Sequence, residues 1–477
     1  MRRVVFTVCM LMVFALYGKT SAQNRQLQKT DSVLSLIKQK FQRKSADELY
    51  ALTGDNLKKA LSLAAFQNVC NQQLFPLGNI KSDSLLSFVN NKTATYKLKF
   101  DAVTLQLMLS LDQFNKIDVF LFQPYKDVSL KKLTPAATDN IRANDADKKV
   151  DTAARVYIQK TNTVGLSIGI LKNGGFKVYN YGEIIKGGNK LPNGNTLFET
   201  GSITKTFTAT LLAWYVNQGK LKLTDAITKF LPDSVAANPQ LKNVTLLSLS
   251  NHTSGLPNLP ANFSAQVPYE RANPYKNYNR QLLFAYLRTC RLNNEPGTAY
   301  TYSNLGIGLL GIILEKVSGK PFEQMVAEII ATPLLMKGTA QHLRGSLADK
   351  FAPVYDDSGT PTPAWDFDAL AAAGALKSTL NDLGNYVKAG MAAANTPLSS
   401  ALKLTQQITL KNADTPVGLA WNIIKINGVD YIFHNGSNYG SSSFLAFNTE
   451  KKFAVIVLSN AAESTDALGV DLIKRLQ

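Results

Sequence analysis

The spacing of apolar positions along this chain changes several times, and each change marks a new element. Val33, Leu34, Ile37 and Phe41 recur at helical spacing after Thr30-Asp31-Ser32, which predicts a helix capped by that polar triplet. Ser45-Ala46-Asp47-Glu48 has the pattern of a capping box and opens a second helix. Leu57, Leu61, Ala64, Ala65 and Val69 predict a third that closes before Pro76. The period then drops to two. Thr93 to Phe100 alternates, Leu105, Leu107, Leu109 and Leu111 alternate again, and Ile117 to Phe122 follows a turn at residues 112–115. Helices followed by an antiparallel meander predict a small α+β domain over residues 23–127.

Residues 128–148 contain Thr134-Pro135-Ala136-Ala137-Thr138 and mixed charges, a composition that suits a linker. A larger domain is expected over 149–477. It opens with a helix to about Gln159 and a buried strand from Val164 to Leu171. A turn at Asn173-Gly174-Gly175 leads to the partner strand Phe176 to Tyr181. A helical, loop-rich stretch runs from Ser202 to about Leu383. Strands return at Leu419–Ile426, Val429–Phe433, Ser443–Phe447 and Phe453–Ser459, and a last helix starts near Thr465 with Ser464 as its cap. Strands at both ends with helices between them predict one antiparallel sheet, flanked by helices and carrying a helical insertion.

The 477 residues exceed one ordinary core, in keeping with two domains. Hydrophobic content of 45% and charged content of 18% exclude a disordered chain. Arg2 and Arg3 precede the apolar run Val4 to Tyr17, and Thr20-Ser21-Ala22 offers small residues for cleavage. Residues 1–22 therefore read as a secretory signal, and the protein is expected in the periplasm or outside the cell. No later stretch reaches the roughly 18 apolar residues of a membrane span. The formal net charge is +18, and loss of Arg2, Arg3 and Lys19 with the signal would lower it by three. The remaining basic residues are scattered, without the runs or aromatic platforms of a nucleic-acid surface. Processing would leave Cys70 and Cys290, one in each domain, so no disulfide framework is expected. No cysteine–histidine cluster points to a metal, and no cofactor is implied.

Candidate chemistry concentrates at Glu199-Thr200-Gly201-Ser202-Ile203-Thr204-Lys205. Ser202 and Lys205 lie three apart at the predicted start of a helix, so hydroxyl and amine share one face. A serine hydroxyl needs a base to become a nucleophile, and a partly desolvated lysine can be that base. Two later stretches join them: Tyr302-Ser303-Asn304, and His434-Asn435-Gly436 followed by Ser437.

With these three motifs in this order, the chain resembles the serine β-lactamase and penicillin-binding protein superfamily, in its class C-like branch. Accessory stretches at His252-Thr253-Ser254-Gly255-Leu256-Pro257, at Ala373-Gly374-Ala375-Leu376-Lys377-Ser378-Thr379 and at the late strand ending Leu458-Ser459-Asn460 fit the same branch. The resemblance implies a β-lactamase/transpeptidase-like fold and an acyl-enzyme mechanism on a small-molecule or peptide substrate. Ser202 is then the nucleophile, Lys205 its base, and Tyr302 the proton relay, with a phenol pKa lowered by nearby cationic charge. Asn304 is expected to orient Lys205 and the substrate, and the Ser202 and Ser437 amides to form an oxyanion hole, at about 3–4 kcal/mol per donor. His434, with Gly436 beside it, stands where the family commonly has a lysine; it can bond Tyr302 or, protonated, pair with a carboxylate. His252 reads as structural. Residues 23–127 resemble cystatin-like or NTF2-like domains in layout, which bind ligands, dimerise or act as spacers. A binding protein that has kept the fold and lost turnover is the alternative.

Overall fold

A computed structural model describes residues 26–89, 92–125, 132–393, 395–411 and 415–477. The signal expected at residues 1–22 lies outside them. The chain divides into two compact units, residues 1–127 and 128–477.

In the first unit, helix α1 occupies residues 26–42. It begins before the expected cap: Thr30 lies inside it and its hydroxyl donates to the Gln26 carbonyl at 3.0 Å, as threonine does mid-helix. Ser45 caps α2 (Ala46–Ala51) by accepting the Glu48 amide. The expected third helix is two, α3 (Asp55–Ala60) and α4 (Leu63–Val69), because Ser62 starts a new cap. Four strands, β1 (Ile80–Val89), β2 (Thr93–Phe100), β3 (Thr104–Leu111) and β4 (Ile117–Pro124), form a meander in that order. Ile37, Phe41, Tyr96, Leu98 and Leu109 fill the core between helices and sheet. Strand β1 has no counterpart in the sequence reading. Its Lys81-Ser82-Asp83-Ser84 run buries nothing, and main-chain pairing to β2 holds it at the sheet edge.

The second unit begins along its own sheet. The expected linker is bonded there, with Gly182 donating to the Ala137 carbonyl at 2.8 Å and Asn180 donating to Asp139 at 2.8 Å. Helix α5 (Asp145–Ile158) follows, then β5 (Gly165–Lys172), β6 (Gly175–Gly182) and the short β7 (Leu197–Glu199). Helices α6 (Thr204–Asn217) and α7 (Asn304–Ser318) lead to β8 (Lys377–Thr379), which pairs with β7, and to α8 (Leu380–Met391). The remaining elements are β9 (Asn422–Ile426), β10 (Val429–Asn438), β11 (Ser441–Asn448), β12 (Phe453–Ser459) and α9 (Asp466–Leu476).

Six strands form one antiparallel sheet in the order β9-β10-β11-β12-β5-β6. The last strand of the chain thus pairs with the first of the unit. Period-two alternation gives the sheet two apolar faces. Phe453, Val455 and Val457 of β12 pack with α5 and α9, while Ala454, Ile456 and Leu458 join the larger core with α6, α7 and α8. Each large apolar side chain so buried contributes about 1.5–3 kcal/mol. Helix α6 is enclosed nearly all round, and the buried hydroxyls of Thr206, Thr208 and Thr210 are each bonded. Strand β10 runs five residues past its expected end at Phe433, so His434, Gly436 and Ser437 are strand residues.

Candidate active site

The site assembles where β7 ends. Thr200, Gly201, Ser202 and Ile203 make a tight 3-10 turn before α6, so Ser202 precedes the α-helix instead of opening it. The turn is tied on three sides. Thr200 donates through its hydroxyl to the Leu376 carbonyl at 2.8 Å, the Leu376 amide donates to Thr204 Oγ1 at 3.1 Å, and the Ser443 hydroxyl donates to the Thr200 carbonyl at 2.8 Å. Gly201 adopts φ +50°, and Gly436 of β10 passes so close that a Cβ there would stand 2.1 Å from the Thr200 oxygen. That close approach sets Ser437 beside the Ser202 turn, on the cleft side.

Lys205 Nζ lies 2.9 Å from Ser202 Oγ and donates to the Ala373 carbonyl at 2.6 Å. The residue is 0% exposed, and burial holds its amine well below the ordinary lysine value. The Tyr302 hydroxyl donates to Ser202 Oγ at 2.6 Å, and Lys205 Nζ stands 4.8 Å from the centre of the Tyr302 ring. Residues distant in sequence thus place an amine and a phenol on one serine oxygen.

Three expectations change here. Burial of the Tyr302 phenol pushes its pKa up, opposite to the expected lowering. Asn304, first residue of α7, donates to the Tyr275 hydroxyl at 2.9 Å, while the Lys205 amine is held by Ala373. His434 is 2% exposed, and burial followed by the nearby Lys205 lowers its pKa to about 3. It is neutral near neutral pH, so it lacks the charge for pairing with a carboxylate, one of the two roles open to it from the sequence. Its Nδ1 bonds the Asn435 carbonyl, leaving Nε2 as a buried acceptor without a hydrogen-bond partner.

His252 accepts the Ser303 amide on Nδ1 at 3.1 Å, and its ring packs 4.7 Å from that of Tyr302. Ser303 caps α7, so the middle of the Tyr302-Ser303-Asn304 motif is architectural. Tyr302 is therefore fixed from behind.

Around Ser202 opens a cleft of about 360 Å³. Tyr302, Asn304, His434, Gly436 and Ser437 all line it, so the structure brings the expected residues together, with Lys205 beneath the nucleophile. Sequence reasoning missed the walls Tyr275, Tyr300, Trp365 and Phe367. Tyr300 was the most accessible of these, standing two residues before Tyr302. Glu199 was also passed over. Its buried carboxylate accepts the Trp365 amide at 2.6 Å and the Ser441 hydroxyl at 2.9 Å, joining one wall to β11, and burial raises its pKa.

The sequence model of the Beta-lactamase family matches residues 150–476. The chain belongs to the Beta-lactamase family. A beta-lactamase of Pseudomonas fluorescens is 27% identical over 351 residues, covering 67% of this chain and 94% of the relative. Protein flp of Staphylococcus aureus (strain MW2) is 28% identical, covering 66% and 64%. Among solved structures, a beta-lactamase/D-alanine carboxypeptidase from Pseudomonas syringae aligns with TM-score 0.62 at 26% identity, over 70% of this chain and 98% of that one. A class C beta lactamase aligns with TM-score 0.64 at 25% identity, over 71% and 100%. This Beta-lactamase family member is a serine hydrolase. The family match begins at residue 150 and covers none of the N-terminal unit. Among the described residues no helix is long and apolar enough to cross a membrane, and no group of His, Cys, Asp or Glu is placed to hold a metal.

Proposed function

We propose that this protein is an exported hydrolase that cleaves amide, peptide or ester bonds through an acyl-enzyme on Ser202. The observation that carries the reading is the convergence of Lys205 Nζ and the Tyr302 hydroxyl on Ser202 Oγ, at 2.9 and 2.6 Å. Burial loosens the Lys205 amine's hold on its proton, and once deprotonated it offers a lone pair to the serine proton while still donating an N–H to Ala373. Ser202 Oγ then bonds the substrate carbonyl carbon while its proton passes to Lys205. The oxyanion faces the Ser202 and Ser437 amides, whose proximity follows from Gly436. Tyr302 relays the proton to the leaving group as the carbon–heteroatom bond breaks. Water attacks the serine ester in the second half, releasing the acid and restoring the serine proton.

The alternative of an inactive binding protein finds no support in this geometry, since none of the three groups is displaced. Export rests on the charged and apolar pattern of residues 1–22. Turnover of 4-nitrophenyl acetate tests the reading. The wild type is expected to hydrolyse it with a burst of nitrophenol, and Ser202→Ala to fall by about 1,000-fold or more. Unchanged turnover in that variant would remove Ser202 from the chemistry.

A further inference from the structure

The described residues lining the cleft include aromatic rings, carboxamides and hydroxyls, and no lysine, arginine, aspartate or glutamate stands among these described residues. Three lysines near the cleft have partners of their own. Lys205 lies buried beneath Ser202 and donates to a backbone carbonyl. Lys377 sits behind Trp365, 5% exposed, and donates to the Gln341 and Trp365 carbonyls. Lys276 pairs with Glu270. The carboxamides are partly committed as well. Asn304 donates to Tyr275, and Asn435 donates to Asp466 at 2.8 Å on the α9 side of the strand.

A carboxylate held beside the scissile carbonyl would lose water here without gaining a counter-charge, which is costly in a half-enclosed site. The walls suit another kind of group. Tyr275 stacks on Phe367 with ring centres 4.6 Å apart, and Trp365 leans on Tyr275 at 5.1 Å. Such a surface takes flat or apolar bodies, while Tyr hydroxyls and Asn amides bond neutral polar atoms.

We infer that the cleft selects uncharged acyl compounds, esters or amides without a free carboxylate near the scissile bond. The inference rests on the acyl-enzyme reading above and narrows its substrate.

A matched pair separates the two claims: 4-carbamoylphenyl acetate and 4-carboxyphenyl acetate, with each kcat/KM divided by the compound's own hydroxide-catalysed rate. The neutral ester is expected to be preferred at least tenfold at pH 7. Asn422→Arg, which adds a guanidinium to the lining, is expected to narrow that gap at least threefold. Equal or reversed preference in the wild type overturns the inference and leaves the hydrolase reading standing. A gap that Asn422→Arg does not change overturns it too, since charge would not then set the preference. Turnover of neither ester, with Ser202 unlabelled by a fluorophosphonate, overturns the hydrolase reading and this inference with it.

Discussion

His434 shows how one residue's surroundings decide what it can do. Its position on β10 faces the cleft, yet burial and the neighbouring Lys205 lower its pKa to about 3. In the unfolded chain the same ring takes up a proton near pH 6.5. Between those values the unfolded state binds the proton and the folded state does not, so stability is full above pH 6.5 and falls as pH drops toward 3. His252, buried beside Tyr302 and also lowered, adds to the same trend. Thermal melts of wild type and His434→Gln from pH 7 to pH 4 are expected to diverge, with the shallower fall in the variant. Parallel curves would mean that the histidine charges in the fold. The serine, lysine, tyrosine and asparagine of the site were legible because each sits in a short motif. The shift of Tyr302 was not, since it comes from burial of the phenol itself, which no spacing encodes.

Among elements, the contact of β10 with the 3-10 turn carries the most consequence. Only a glycine at 436 permits it, because a Cβ would also stand 2.8 Å from the Ser202 amide. Gly436→Ala is expected to push the strand and the nucleophile turn apart, at about 1–3 kcal/mol of overpacking. A displacement near 1 Å at the reacting atoms costs about 100-fold in rate. Measured kcat/KM should fall by that order while the protein still melts cooperatively; full activity would show that the turn is set by other contacts. The elements themselves were readable to different depths. Apolar patterning identified β5, β11 and β12, whose faces pack on two cores. It failed at β1, where polar side chains hide a strand that exists through main-chain pairing. It also ended β10 too soon, because His434-Asn435-Gly436-Ser437 does not look like a strand until β11 pairs with it.

At the scale of the whole molecule, two units keep separate cores, and the family match falls on one of them. That strands from both ends of the domain share one antiparallel sheet was foreseeable from the sequence, though their order was not. The cleft walls were not, since Tyr275, Trp365 and Phe367 come from loops whose course spacing does not determine. The larger unit uses its packing to keep one amine dry beneath a serine at the cleft floor. The rate of Ser202 labelling by a fluorophosphonate, followed from pH 5 to pH 11, tests that claim most directly. Half-maximal rate is expected at a pH well below the ordinary lysine value of about 10.5, together with loss of labelling in Lys205→Arg, whose side chain stays charged. A rate that rises through the ordinary lysine range, or labelling that survives Lys205→Arg, would contradict it.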